Sequence, residues 1–379
     1  MKYYIIAGEA SGDLQGAYLM RAIRKYDPEA QFRIWGGEKM EAEGGQLVKH
    51  YKDLAFMGVV AVISNLRTIL GNMKFCKQDI EAFQPDKLIF VDYPGFNLRI
   101  AKWARKAGFF TVYYISPQIW AWHTSRVHQI KANIDLMLVI LPFEPAFYEK
   151  YNYRVHFVGH PLLDVVTEYQ SKTKGEKKED LAPYIALLPG SRKQEITKVL
   201  PIMLAAAAQH PEYRYLIAQA PAQEAALYRS IMQKAANLPK NIEIVPGKTY
   251  DILQHAHAAL VTSGTATLEA ALFKVPLIVC YKGSRIEYEI GRRLVDIKYI
   301  SLANLILDEA LLPELVQVEL TVARLSEELA RIIEGPARTA QLAGFERLQQ
   351  TLGHAGAPER AAKLIVGEKG MERMRGWRG

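Results

Sequence analysis

The sequence predicts an α/β protein of two Rossmann-like halves, each built on a parallel sheet. Short apolar runs alternate with helical patterns along most of the chain, as expected when parallel strands carry helices on both faces. The alternation breaks once, at SKTKGEKKED (171–180), which has no large apolar residue and reads as an exposed linker. Beyond it, YIALLPGSRKQE from Tyr184 and AALVTSGTATLEAAL from Ala258 repeat one pattern of strand, small-residue turn and helix, as two βα units of one doubly wound sheet would.

At 379 residues the chain exceeds one ordinary core. The expected division is 1–170, a linker at 171–180, a second domain at 181–352, and a C-terminal helix with a basic tail at 353–379. In the first half, strands are expected at Tyr3–Ala7, Phe32–Gly37, Lys87–Tyr93, Thr111–Pro117, Leu136–Pro142 and Val155–Pro161. GEASGD follows the first as a glycine turn entering an amphipathic helix. In the second half, strands are expected at YIALLPG, Arg214–Ala220, Ile242–Gly247, ALVTSG and Pro276–Lys282, and from Pro313 the chain reads as mainly helical. Asn65–Phe83 places Leu66, Ile69, Leu70, Met73, Ile80 and Phe83 on one helical stripe. Such a helix packs on a sheet, or, following the apolar GVVAVI, lies on a bilayer.

Half the residues are hydrophobic and 23% are charged, the profile of a globular enzyme. The net charge of +8 favours an anionic partner. No RNP, zinc-finger or helix-turn-helix signature accompanies it, which argues against nucleic acid. Two cysteines, Cys76 and Cys280, give no disulfide framework. The longest apolar run has strand length and the N-terminus has no signal-peptide core, so a cytoplasmic protein with at most peripheral membrane contact is expected.

The turn after Tyr184–Leu188 directs unpaired backbone N–H groups and the Arg192 guanidinium to one spot, which suits a phosphate. Gly190 and Ser191 also fit an ordinary strand-to-helix turn. Ser263, Gly264, Thr265 and Ala266 are small enough for a diphosphate to approach the backbone. Glu269 is either a ribose-diol acceptor or a helix-start acid complementing the macrodipole. In the first half, Asp92 ends an apolar strand before Pro94 and Gly95. It is either a general base in the ligand crevice or a helix cap. Glu9 and Asp13 flank the first turn as caps or functional acids, and His160 is either a sugar or phosphate contact or buried structure. There is no GxGxxG, Walker A loop, GxSxG elbow or Asp-x-Asp, which argues against dinucleotide oxidoreductases, P-loop kinases, α/β hydrolases and metal-held nucleotide sugars.

GEASGD, AFMGVVAV, VDYPGFN, SPQIWAW, LPFE, GHPLLD, LLPGSR, SGTATLE and ISLANLI stand in an order and spacing that resemble the lipid-A-disaccharide synthase family over nearly the whole chain. The resemblance implies a GT-B architecture, two Rossmann-like domains whose parallel sheets face across a cleft. It implies transfer of 2,3-diacylglucosamine from UDP-2,3-diacylglucosamine to the 6-hydroxyl of 2,3-diacylglucosamine 1-phosphate, with inversion and with neither metal nor cofactor. By the same resemblance Asp92 is the base and Glu9 an active-site acid, while Gly190, Ser191, Arg192, the Ser263–Ala266 turn, Glu269 and Asn304 hold the nucleotide. Two lipid substrates imply a peripheral protein on the anionic cytoplasmic face of the inner membrane, and the family allows a homodimer. The sequence departs from the family pattern at Gly95, often a second aspartate, at Ala303, usually proline, and at His257, commonly acidic. The alternatives are another GT-B enzyme, either a soluble-acceptor transferase or a UDP-N-acetylglucosamine 2-epimerase, and a non-catalytic nucleotide-sugar or lipid-binding protein.

Overall fold

A computed structural model describes residues 1–54, 66–122, 124–174, 183–235, 238–283 and 297–375. The chain divides into two units, 1–161 with 354–379, and 162–353. The helix Leu162–Lys172, expected in the first domain, belongs to the second unit. The C-terminal helix Ala357–Arg375, expected as a separate extension, belongs to the first. Of the linker, residues 171 and 172 finish a helix and 175–180 lie outside the described residues, as do AFMGVVAV at 55–62, GVVAVI at 58–63, Asn65 and everything beyond 375.

In the first unit, β1 (Lys2–Ala7), β2 (Gln31–Gly36), β3 (Gln46–His50), β4 (Lys87–Val91), β5 (Thr111–Tyr114), β6 (Leu136–Val139) and β7 (His156–Phe157) form one sheet in the order β3-β2-β1-β4-β5-β6-β7. Every pairing is parallel. The edge strand β3 escaped the sequence reading because QLVKH is short, half polar and only half-buried. Alternation along β1 decides the layers: Tyr3, Ile5 and Ala7 join one core, Tyr4 and Ile6 the other. The first core takes Ala361, Ala362, Ile365 and Val366 from the C-terminal helix, and the Arg360 Nε–H donates to the Val158 carbonyl at 2.7 Å. The C-terminal helix is therefore part of the core up to Val366, its small and branched residues packing beside the helix Ala10–Tyr26 in the same buried cluster.

The helix Leu66–Phe83 lies on the opposite core through Cys76 and Ile80. Asp79 fixes it, accepting hydrogen bonds from Arg33 and, at 2.7 Å, from the Tyr4 hydroxyl, which itself accepts from the Trp35 indole at 2.7 Å. Leu70, read as part of the packing stripe, is 52% exposed, and Phe75 is 46% exposed.

In the second unit, β8 (Tyr184–Leu188), β9 (Arg214–Gln219), β10 (Ile242–Pro246), β11 (Ala258–Thr262), β12 (Leu277–Tyr281) and β13 (Glu314–Val316) are likewise all parallel, in the order β10-β9-β8-β11-β12-β13. The chain after Pro313 is mainly helical, as expected, but the short strand β13 comes before its helices. A three-residue strand leaves no periodicity to read. In both sheets the order runs outward in two directions from an inner pair, β1 with β4 and β8 with β11. Open α/β sheets bind ligands outside the strand ends at such a reversal.

Candidate active site

In the first unit Ala7 pairs with Val91 across the reversal, so Glu9 and Asp92 emerge side by side past the ends of β1 and β4. The chain leaves β4 under strain. Asp92 and Tyr93 both take left-handed backbone, φ 46° and 51°, as does Ile115 beyond β5, φ 69°. Each such residue costs about 1–2 kcal/mol, and residues of this kind cluster where function requires a set geometry. Several bonds hold them. The Asp92 N–H donates to the Tyr114 carbonyl at 3.2 Å, and the Asp92 carbonyl accepts from Asn97 Nδ2 at 2.7 Å and from the Tyr113 hydroxyl at 2.6 Å.

These contacts leave the Asp92 carboxylate itself without a cation among the described residues. Burial, and secondarily the Glu9 charge, push its pKa up to about 6, against a lowering backbone bond from Tyr93. The helix Pro94–Lys106 is preceded by Tyr93 with no side-chain cap bond, so Asp92 is not its N-cap. The Tyr93 hydroxyl donates to the Leu54 carbonyl at 3.1 Å, and the ring lies so close to Gly8 that a Cβ there would approach it to 2.3 Å. The first glycine of GEASGD thus makes room for VDYPGFN. The two acids of GEASGD separate in role. Glu9 is exposed beside Asp92, whereas Asp13 is buried and accepts from the backbone N–H groups of Gly37, Lys39 and Met40 at 2.7, 3.1 and 3.1 Å. Asp13 caps the short helix Glu38–Ala42.

The neighbouring strand ends carry buried supports. Glu144 of LPFE is 1% exposed and accepts from the Ile140 and Leu141 N–H groups at 3.0 and 2.8 Å; burial raises its pKa to about 7. Ser116 of SPQIWAW is bonded to the Tyr148 hydroxyl at 2.7 Å. His160 is buried, and burial pushes its pKa down to about 4.

In the second unit Leu188 pairs with Val261, placing the Gly190–Arg192 turn beside Ser263–Ala266. The first turn differs from the expectation of an open phosphate seat. Glu195 Oε2 already accepts from the Ser191 and Arg192 N–H groups, both at 3.3 Å, and Glu195 Oε1 lies 3.3 Å from the exposed Arg192 guanidinium. Gly190 has φ 113°, and a Cβ there would come within 2.7 Å of Glu195 Oε2. A resident carboxylate thus occupies the amides at the start of the helix Lys193–Ala207. The signal was in the sequence, since a Glu at the third helical position is a capping residue. Among the described residues the second turn has no such occupant: Gly264 precedes the helix Thr265–Leu272 with no side-chain cap, and Gly264 and Thr265 are exposed.

Glu269 is half-buried. Burial raises its pKa, opposed by the Tyr250 hydroxyl, which donates to Glu269 Oε1 at 2.7 Å. Tyr250 in turn packs against Phe273 and Tyr169. Asn304, grouped above with the nucleotide-binding residues, is fully buried. Its Nδ2 donates to the Leu312 carbonyl at 3.0 Å and to Glu314 Oε1 at 2.9 Å, and its Oδ1 accepts from the Leu312 N–H at 2.8 Å. Its amide bonds to the protein's own groups, the Leu312 backbone and Glu314, and ties this segment to β13.

Two parallel-sheet units, each with polar groups gathered at its strand reversal, define an α/β protein of the GT-B type. The fold is shared with a kitacinnamycin glycotransferase, TM-score 0.65 at 15% identity over 96% of this chain and 98% of that one. It is also shared with the UDP-GlcNAc 2-epimerase of Neisseria meningitidis, TM-score 0.64 at 12% identity over 97% and 98%. The profile of the lipid-A-disaccharide synthetase family matches residues 3–363. The lipid-A-disaccharide synthase of Syntrophus aciditrophicus (strain SB) is 41% identical over 371 residues, 96% of each chain. That of Geobacter metallireducens (strain ATCC 53774 / DSM 7210 / GS-15) is 37% identical over 377 residues, 97% of each. This chain belongs to the lipid-A-disaccharide synthase family.

Proposed function

We propose that this chain joins two diacylated glucosamines, transferring the 2,3-diacylglucosaminyl group of UDP-2,3-diacylglucosamine to 2,3-diacylglucosamine 1-phosphate and releasing UDP. The observation that carries the reading is the fall of the motif residues on the strand reversals of both sheets, within a chain that matches the family over residues 3–363. Asp92 takes the proton of the acceptor 6-hydroxyl as its oxygen attacks C1 of the donor. The bond from C1 to the diphosphate breaks on the opposite face, so the new linkage is β. Negative charge develops on UDP, and Arg192 with the Gly264–Ala266 amides of the Ser263–Ala266 turn stabilises it. Glu269, oriented by Tyr250, accepts from the ribose hydroxyls. Glu9 keeps the field around Asp92 negative. The runner-up enzymes are separated by offering UDP-N-acetylglucosamine without acyl chains. The proposal expects no turnover, a 2-epimerase would form the manno epimer, and a soluble-acceptor transferase would use the sugar.

Glu195 bears on nucleotide affinity. Its charge opposes a diphosphate approaching the same amides, while a glutamine retains an acceptor for them. Glu195→Gln is expected to bind UDP about 3–10-fold more tightly, as removal of one partly screened like charge implies. Calorimetric titration checks this, and weaker binding would mean that the carboxylate helps to build the seat.

The enzyme is proposed to work peripherally on the anionic cytoplasmic face of the inner membrane. Among the described residues no helix is long and apolar enough to cross a membrane. Leu70 and Phe75 are exposed on a helix that also carries the exposed Arg67 and Lys74, a combination suited to an anionic lipid surface. Leu70→Glu with Phe75→Glu is expected to lower cosedimentation with phosphatidylglycerol vesicles about tenfold or more, since a buried large apolar side chain contributes about 1.5–3 kcal/mol. Undiminished binding would place the lipid contact elsewhere.

A further inference from the structure

The strand β13, hidden from the sequence reading, carries a carboxylate outside the motifs. Glu314 Oε1 accepts from the Ser301 N–H at 3.0 Å, the Ser301 hydroxyl at 2.8 Å and Asn304 Nδ2 at 2.9 Å, and its Oε2 accepts from the Ile300 N–H at 2.9 Å. Four donors converge on one carboxylate, and among the described residues no cation accompanies it. Bonds to an ionised acceptor are about twice as strong as neutral ones.

One of the four has a direct line to the nucleotide turn. The Ile300–Ser301 peptide gives its N–H to Glu314, and the carbonyl of the same peptide accepts from the Ser263 hydroxyl at 3.3 Å. A carboxylate pulling on one end of a peptide unit polarises the other, so the bonds strengthen one another. The Ser263 backbone N–H is committed too, donating to the Cys280 carbonyl at 3.0 Å. Both polar handles of Ser263 therefore point into the protein. What the turn offers an anion is the run of amides after it.

We infer that Glu314 is a positioning residue for nucleotide binding: through the Ile300–Ser301 peptide it fixes Ser263, and so sets the Gly264–Ala266 amides in the geometry that receives the diphosphate. This explains what the buried Asn304 does, since its amide ties the same segment to Glu314 and to Leu312. The inference deepens the nucleotide reading of the second unit and rests on it.

The test compares Glu314→Gln with the parent full-length protein, using UDP as the calorimetric probe and initial rates with both lipid substrates. A glutamine keeps the shape but replaces one acceptor oxygen with a donor, so it cannot serve all four partners. Expected are a UDP Kd and a donor KM raised about tenfold, an acceptor KM within twofold of the parent, and a kcat at saturating donor within threefold. In a Ser263→Ala background the effect of Glu314→Gln on UDP Kd should shrink to less than threefold, because the two residues act along one line. A role confined to stability would lower Tm and leave the UDP Kd of the folded protein unchanged, and that result overturns the inference. If Glu314→Gln does not fold, Ser263→Ala alone tests the same line from its other end: UDP Kd should rise about threefold or more, and an unchanged value overturns the inference. Glu269→Gln separates the two levels. If it weakens UDP binding while Glu314→Gln does not, only the present inference fails; if the parent protein binds no UDP, the nucleotide reading fails and takes the inference with it.

Discussion

Asp92→Asn is expected to fold and to bind UDP like the parent protein, while kcat falls by about 10²–10⁴-fold, the range associated with a general base. The loss should appear in kcat and not in the donor KM, because Asp92 lies at the strand reversal of the first sheet and the nucleotide groups at that of the second. The pH profile gives an independent sign. Asp92 must be ionised to accept a proton, and burial with the Glu9 charge holds its pKa at about 6. The kcat/KM of the parent should therefore fall about tenfold per pH unit below about 6. Removing one of the two raising influences by Glu9→Gln should move that limb to lower pH. Stability runs the other way. A carboxyl whose folded pKa is raised from 3.8 to about 6 contributes stability that is present below the unfolded value and lost as pH rises through the folded one. At pH 8 the ionised group therefore costs the fold, and Asp92→Asn should be more stable than the parent by about 1–3 kcal/mol in urea unfolding. Near pH 3.5 the two should converge. An inactive variant that is also less stable would point to a structural role.

Arg192→Ala is expected to lower kcat/KM for the donor by about 10²–10³-fold, the size of effect seen when one donor to a developing negative charge is removed. The side chain is 62% exposed and its nearest partner is Glu195 at 3.3 Å, so its loss should cost little in Tm. Arg192→Lys restores the charge but not the planar fork, and should recover only part of the activity. Guanidinium ion added to Arg192→Ala should raise the rate if the missing group acts on the leaving diphosphate. Wild-type donor kinetics in Arg192→Ala would leave the stabilisation to the Ser263–Ala266 turn alone.

The parallel α/β architecture was legible because its signals are long and local. Apolar runs such as KLIFV and AALVT sit between amphipathic helices, and each ends in a turn with glycine or small residues. Where Asp92, the Gly190–Arg192 turn and the Ser263–Ala266 turn would stand followed from the same logic, since strand ends in such sheets are ligand positions. What stayed hidden depends on which groups find each other in three dimensions. Glu9 and Asp13 share one motif and four residues' separation, yet one lies exposed beside Asp92 and the other caps a helix from the next βα unit. Asn304 and Glu195 look like ligand groups or bystanders until their partners are seen, and these partners are the protein's own backbone and carboxylates. Glu314 was missed for a simpler reason: β13 is three residues long, too short for a period of two to register.

The most direct test of the account follows UDP release and product mass together in detergent micelles containing UDP-2,3-diacylglucosamine and 2,3-diacylglucosamine 1-phosphate, with EDTA present throughout. The account predicts equal amounts of UDP and a β-1,6-linked disaccharide 1-phosphate, both abolished by omitting either lipid and both reduced to near background in Asp92→Asn. Folded protein that binds UDP but forms no disaccharide from these two lipids would contradict it.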